Sequence, residues 1–336
     1  MANVQSMDSK TNFERLLWTL TPTVRSRSIP KNYVEGWNKL WNPVGKPITR
    51  YFSLGDLWHS FETWSACGVG TRVENHDSED VVHYFVPKLS ALQIFTTKSV
   101  EKLRIPKVKD GNDIAEVDAE AWSEESDGEK SPGTASNNSS NAWEITAEDI
   151  ENENIWPLNK NFQNLYFGLQ DSCPPYYRPP LFERILPLVE EYPGLLTLKS
   201  TDLTPASWMA ISWYPIYQIP AQEIKDDMAS PFLTFHTISS FFQDDEDVVN
   251  GSGTGSKLTS LPPFGIASYK LEGDIWFCNE GSDDHGKFYA LNSAADSWLK
   301  QVNFNHYDFK HFNSKAAHVC KDECDCRGYR NFHRVV

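Results

Sequence analysis

Over most of this chain the apolar residues fall into short alternating runs, and only a few stretches carry the three-to-four-residue spacing of a helix. VVHYFV (81–86), LQIF (92–95), WMAISWYPIY (208–217), PFLTFHTI (231–238), GIASYKL (265–271) and DIWFC (274–278) are brief, rich in aromatic and β-branched residues, and bounded by turn formers, so they are predicted strands. Glu272 and Gly273 join the last two as a tight hairpin. Leu54, Leu57, Trp58, Phe61 and Trp64 recur at helical spacing behind Ser53, with Asp56 as a capping-box partner and Gly68 and Gly70 as the stop. Two further helices are predicted, one starting at Pro180 and carrying Leu181 and Ile185, the other carrying Ala294, Ala295, Trp298, Leu299 and Val302. Hairpin-scale links between strands, with few helices, give an α+β class: a mainly antiparallel mixed sheet packed by helices. Alternation places Trp213 and Tyr217 on one face with Ile211, and Tyr214 and Ile216 on the other, a sheet buried on both sides. Pro215 cannot donate to a ladder and marks an edge or a bulge.

Composition interrupts this body twice. From 108 to 153 the chain turns to Glu, Asp, Ser, Asn and Gly, too polar to offset its ordering entropy, and 243–256 repeats that character on a smaller scale. The expected layout is an N-terminal segment and linker at 1–32, one α+β domain at 33–312 interrupted by a disordered acidic insertion (98–154) and a loop (243–257), and a Cys/His-containing tail at 313–336. The net charge of −15 is concentrated in that insertion, where fifteen acids face six bases. No basic stripe is visible, so nucleic acid is not an expected partner. No apolar run reaches the roughly twenty residues that cross a bilayer, and the first thirty residues lack a signal peptide's apolar stretch. The expectation is a soluble protein of the cytoplasm or nucleus whose six cysteines stay reduced.

Candidate chemistry is sparse. Trp208, Trp213, Tyr214 and Tyr217 either line a binding surface or fill the core. Asp202, His236 and Ser207 or Ser212 are the residue types of a hydrolase triad, but no G-x-S-x-G elbow surrounds either serine, and a histidine bonded within the sheet is the plainer reading. Gly251, Gly253 and Gly255 lack the spacing of a phosphate loop before Lys257. His318, Cys320, Cys324, Cys326 and His333 hold enough soft ligands for zinc, but their C-x₃-C-x-C spacing is not that of paired knuckles, and an unligated tail is the default. No cofactor is expected. RSRSIP (25–30) takes the form bound by 14-3-3 proteins if Ser28 is phosphorylated, since an arginine cluster captures a phosphoserine flanked in this way; otherwise it is a linker. Ser126, Ser131 and Thr146 make the acidic insertion a candidate kinase substrate.

Several blocks keep a recognisable order: NFERLL, SLGDLWHSFETWSACGVG, VVHYFVPKLSALQIF, SWMAISWYPIYQIP, FLTFHTIS and PPFGIASYKLEGDIW. Together they resemble the plant family called domain of unknown function 789 over all but the two insertions and the last twenty or so residues. The resemblance implies a soluble plant protein and brings no reaction, cofactor or catalytic residue with it. Pro187 departs from it, interrupting a stretch that the family runs as an unbroken helix. The function expected from all of this is protein interaction without catalysis, regulated by phosphorylation; the competing reading is an enzyme whose residues converge from distant strands.

Overall fold

The computed structural model describes residues 10–30, 48–74, 80–96, 164–219, 231–240, 257–268, 276–277 and 282–314. All of them belong to one compact unit. Ser126, Ser131, Thr146, the His318 to His333 ligand set and the Glu272–Gly273 hairpin lie outside the described residues.

The chain opens with helix α1 (Asn12–Thr19), whose Thr11 and Glu14 form a reciprocal capping box. Its inner face inserts Phe13 and Leu16 into the main core, and Leu20 and Val24 follow. Phe13, Leu16, Leu20 and Val24, which fall in the stretch expected to be a segment and linker, therefore join the core. Strand β1 (Thr23–Pro30) pairs with β2 (Ile48–Tyr51) and β8 (Lys257–Ser260) in a three-stranded sheet. Helices α2 (Leu54–Ser60) and α3 (Glu62–Cys67) follow, so the predicted single helix is broken at Phe61. Ser53 caps α2 as predicted, its hydroxyl accepting from the Asp56 N–H and donating to the Asp56 carboxylate. Gly68 ends α3 at φ +78°, a conformation a side chain resists.

The larger sheet runs β3 (Val69–Glu74), β4 (Asp80–Thr96), β6 (Trp208–Ile219), β7 (Phe232–Thr237), β9 (Gly265–Ser268), with β5 (Asn164–Gln170) also on β4. Every strand pair among the described residues is antiparallel. The blocks VVHYFV and LQIF are not two strands but one, β4, running through Pro87. β3 covers the outer edge of β4 up to Phe85 and β5 takes it up at Ala91, so Pro87 falls where that edge has no ladder to break.

Two bulges set which side chains face where. Ser90 is skipped between the Leu89–Ile211 and Ala91–Ala210 pairs, and Ile216 is skipped between Phe85–Pro215 and Tyr84–Tyr217. Up to Trp213 the sheet is buried on both faces as predicted. Met209, Ile211 and Trp213 join the main core under α1, α2 and α4 (Leu181–Glu191). Trp208 and Ala210 face a second cluster with Trp298 of α6 (Asp284–Gln301), Phe309 and Phe312. The bulge at Ile216 then turns Tyr217 away from the Trp213 face, which corrects the alternation read from the sequence. α4 is also unbroken: it continues through Pro187, so that proline does not interrupt it. Gly265 lets α6 lie close, since a Cβ there would come within 2.7 Å of Ala295.

Candidate functional site

Beyond Trp213, β7 no longer pairs with β6, and the face that Trp208 and Ala210 bury farther along becomes an exposed aromatic surface. Tyr84 and Tyr217, directly paired across β4 and β6, stack with ring centroids 4.5 Å apart, and the Tyr217 hydroxyl donates to the Cys67 carbonyl. Val86 and Tyr214 form the next same-face pair along the two strands. Lys88 comes next on β4, its ammonium 5.0 Å from the Tyr214 ring centroid. A 3₁₀ turn at Pro175–Tyr177 continues the surface: Tyr176 meets Tyr214 edge-on at 5.3 Å and Tyr177 at 5.1 Å. Tyr176 and Tyr177 are 61% and 76% exposed, so the rings are presented and not packed. Lys88 is itself buried and donates to the Tyr176 carbonyl; burial, reinforced by nearby Arg178, lowers its pKa. Of the four aromatic residues singled out from the sequence, Trp208 and Trp213 are core, while Tyr214 and Tyr217 reach this surface. Tyr84, Tyr176 and Tyr177 gave no signal, because their neighbourhood depends on cross-strand register.

Behind this surface lies a buried polar cluster that sequence reasoning missed. The Ser90 bulge aims its hydroxyl at the Asp308 carboxylate, to which it donates at 2.5 Å, and it lies 3.4 Å from His306 Nε2. Arg178 holds the same carboxylate with two N–H groups, at 2.5 and 2.8 Å, and donates again to the Cys173 and Asp171 carbonyls. Ser, His and Asp thus meet, but with the wrong polarity for catalysis. The Phe309 N–H donates to His306 Nδ1, which assigns the ring proton to Nε2. That nitrogen has no lone pair to accept the serine proton, which is committed to Asp308 instead. Burial is the main cause holding the His306 pKa down at about 4; Asp308 opposes it and Arg178 adds to it. The cluster fastens the helix over 307–314, capped by His306, to the sheet.

The triad types listed from the sequence do not converge. His236 is fully buried: its Nδ1–H donates to the Leu261 carbonyl, and its Nε2 accepts from Thr234, whose oxygen accepts from Trp213 Nε1. Burial keeps this ring neutral, with a pKa of about 4 although the Leu261 bond opposes the shift. Ser207 bonds the Phe95 backbone in both directions, Asp202 accepts from the Lys199 N–H, and Ser212 Oγ is buried without a partner. A concavity of about 290 Å³ beside β7 is lined by Thr237, Ser260, Leu261, Pro262, Pro263, Phe264 and Trp298, none of them an acid or base. Among the described residues no group of three His, Cys, Asp or Glu side chains is placed to hold a metal ion, and no helix is long and apolar enough to cross a membrane.

Arg25 to Pro30, read as a linker or docking peptide, is strand β1. Ser28 is exposed and lies directly opposite Arg50 of β2, and past Ser26 the strand pairs, among the described residues, with β2 alone. No curated protein and no solved structure matches the chain. A family model does match, over residues 11–312, from the capping threonine of α1 to the last aromatic of the second core. The chain therefore belongs to the family described as a protein of unknown function, DUF789.

Proposed function

We propose that this is a non-catalytic interaction protein that binds protein partners through the tyrosine surface of β4, β6 and the Pro175–Tyr177 turn. The observation that carries this reading is the change along one sheet face, from fully buried Trp208 to Tyr176 and Tyr177, which are more than half exposed. Tyrosine combines a large apolar ring with a hydroxyl at low entropic cost, and is enriched where proteins bind one another. The enzyme alternative has less support, because the meeting of Ser90, His306 and Asp308 among the described residues is sealed from solvent and hydrogen-bonded in the wrong sense.

Phosphorylation is the proposed regulation, and the exposed Ser28 is its candidate acceptor within the described residues. Capture of that segment by a 14-3-3 protein would require β1 to leave β2, and the pairing weighs against it. The reading places the protein in the cytoplasm or nucleus. Affinity capture with wild type and with a Tyr177→Ala, Tyr217→Ala double variant tests it. Neither ring is in the core, so the variant should stay folded, giving up only a small part of its melting temperature with the Tyr84 stack and the Cys67 bond, and lose its stable partners. Identical partners in both captures would refute the assignment of the surface.

A further inference from the structure

We propose that a second surface, the outward face of the β1–β2 pair, binds an extended, carboxylate-rich segment of a partner protein. Arg25 and Arg27 are exposed and alternate with buried Val24 and Ser26, so both point away from the core. Tyr51 lies directly opposite Arg27, and the Lys199 ammonium sits 5.3 Å from its ring centroid. Lys199 is also bridged to Ser53, two residues beyond Tyr51, which places it on the same face. The arrangement is cation, ring, cation, with Arg25 one step along the strand.

None of these three cations is paired with a carboxylate among the described residues, whereas Arg15, Arg178, Arg184, Lys287 and Lys300 all are. Three unneutralised positive charges on one face are out of keeping with a chain of net charge −15. The spacing selects the kind of anion. Side chains two apart on a strand repeat at about 6.8 Å, the repeat of every second side chain on an extended peptide. A segment carrying acids at alternate positions would meet Arg25 and Arg27 in register, each arginine able to take a carboxylate by two N–H bonds. The methylenes of the acid that meets Arg27 would lie on Tyr51, its cross-strand neighbour. A nucleic acid or an anionic bilayer is held by a broad basic stripe, whereas three cations along one strand face span only a short peptide. This use of the arginines needs β1 to stay paired, the opposite of what 14-3-3 capture requires.

Fluorescence anisotropy of the full chain with a short labelled peptide alternating Glu and Ser, and with its Gln-for-Glu counterpart, tests the proposal. The Glu peptide should bind at least about tenfold tighter than the Gln peptide, and added salt should weaken it. Arg25→Gln with Arg27→Gln should remove about tenfold or more of that affinity, while Lys300→Gln, whose ammonium pairs with Asp296 on α6, should leave it unchanged. Circular dichroism checks folding, and if the double variant fails, Lys199→Gln, which lies outside the strand pair, replaces it with the same expected direction. Equal binding of the two peptides, indifference to the charge-removing variants, or binding to phosphatidylserine vesicles without binding to the Glu peptide would each overturn the proposal.

Discussion

Mild acid should destabilise this fold before its carboxylates are protonated, because three histidines among the described residues are buried as neutral rings. His236 is 0%, His306 2% and His83 4% exposed, and burial is the first cause of a pKa of about 4 in all three. In the unfolded chain the same groups titrate near 6.5. A histidine whose folded pKa is depressed contributes full stability above the unfolded value, and that contribution is lost as pH falls from 6.5 towards 4. At about pH 5.5 the unfolded ring is roughly nine-tenths protonated and the folded one is not, which costs about 1.4 kcal/mol per histidine. For the three this is about 4 kcal/mol out of a typical 5–15 kcal/mol, or a fall in melting temperature of roughly 8–16 °C. Calorimetry at fixed ionic strength between about pH 7.5 and 5.5 measures it. His306→Asn is the diagnostic variant: an asparagine oxygen can still accept from the Phe309 N–H, so the cap survives while the titration disappears. It should flatten the pH slope by about a third. A melting temperature that is flat over this range, or an asparagine variant with the full wild-type slope, would refute the reasoning.

Arg178→Leu should be among the costliest single changes, because it leaves the Asp308 carboxylate buried without its two-pronged partner; about 3–5 kcal/mol should be lost in urea denaturation, and a loss under about 1 kcal/mol would show the cluster to be dispensable. Trp213→Ala removes a fully buried ring that contacts Trp64 and Phe232 and donates to Thr234, so it should cost about 3–5 kcal/mol and lower the melting temperature, whereas unchanged stability with loss of a partner would make Trp213 a binding residue.

Signals confined to a few neighbouring residues were readable without coordinates. Ser53 as an N-cap, Gly68 as a stop, Pro215 as the mark of an edge or bulge, and the strand blocks other than DIWFC, whose Trp276 and Phe277 form a turn, each follow from local preferences. β1 gave no comparable signal, because RSRSIP offers no apolar alternation and becomes a strand only by pairing with β2 and β8. β4 read as two strands because Pro87 is a breaker in general, and only the gap between β3 and β5 makes it harmless there. The bulge at Ile216 likewise shows only in the Tyr84–Tyr217 and Phe85–Pro215 pairs, and it decides that Tyr217 lies with Tyr84 instead of with Trp213.

The amino-acid sequence by itself determined the α+β class, the order of most elements and the family, because periodicity, caps and block order are written locally. The tertiary structure alone decided the sites. Ser90 lies more than two hundred residues from His306 and Asp308, and Arg27, Tyr51 and Lys199 come from three separate segments. Such groups become neighbours only through strand register, and register is fixed by the packing of the whole core.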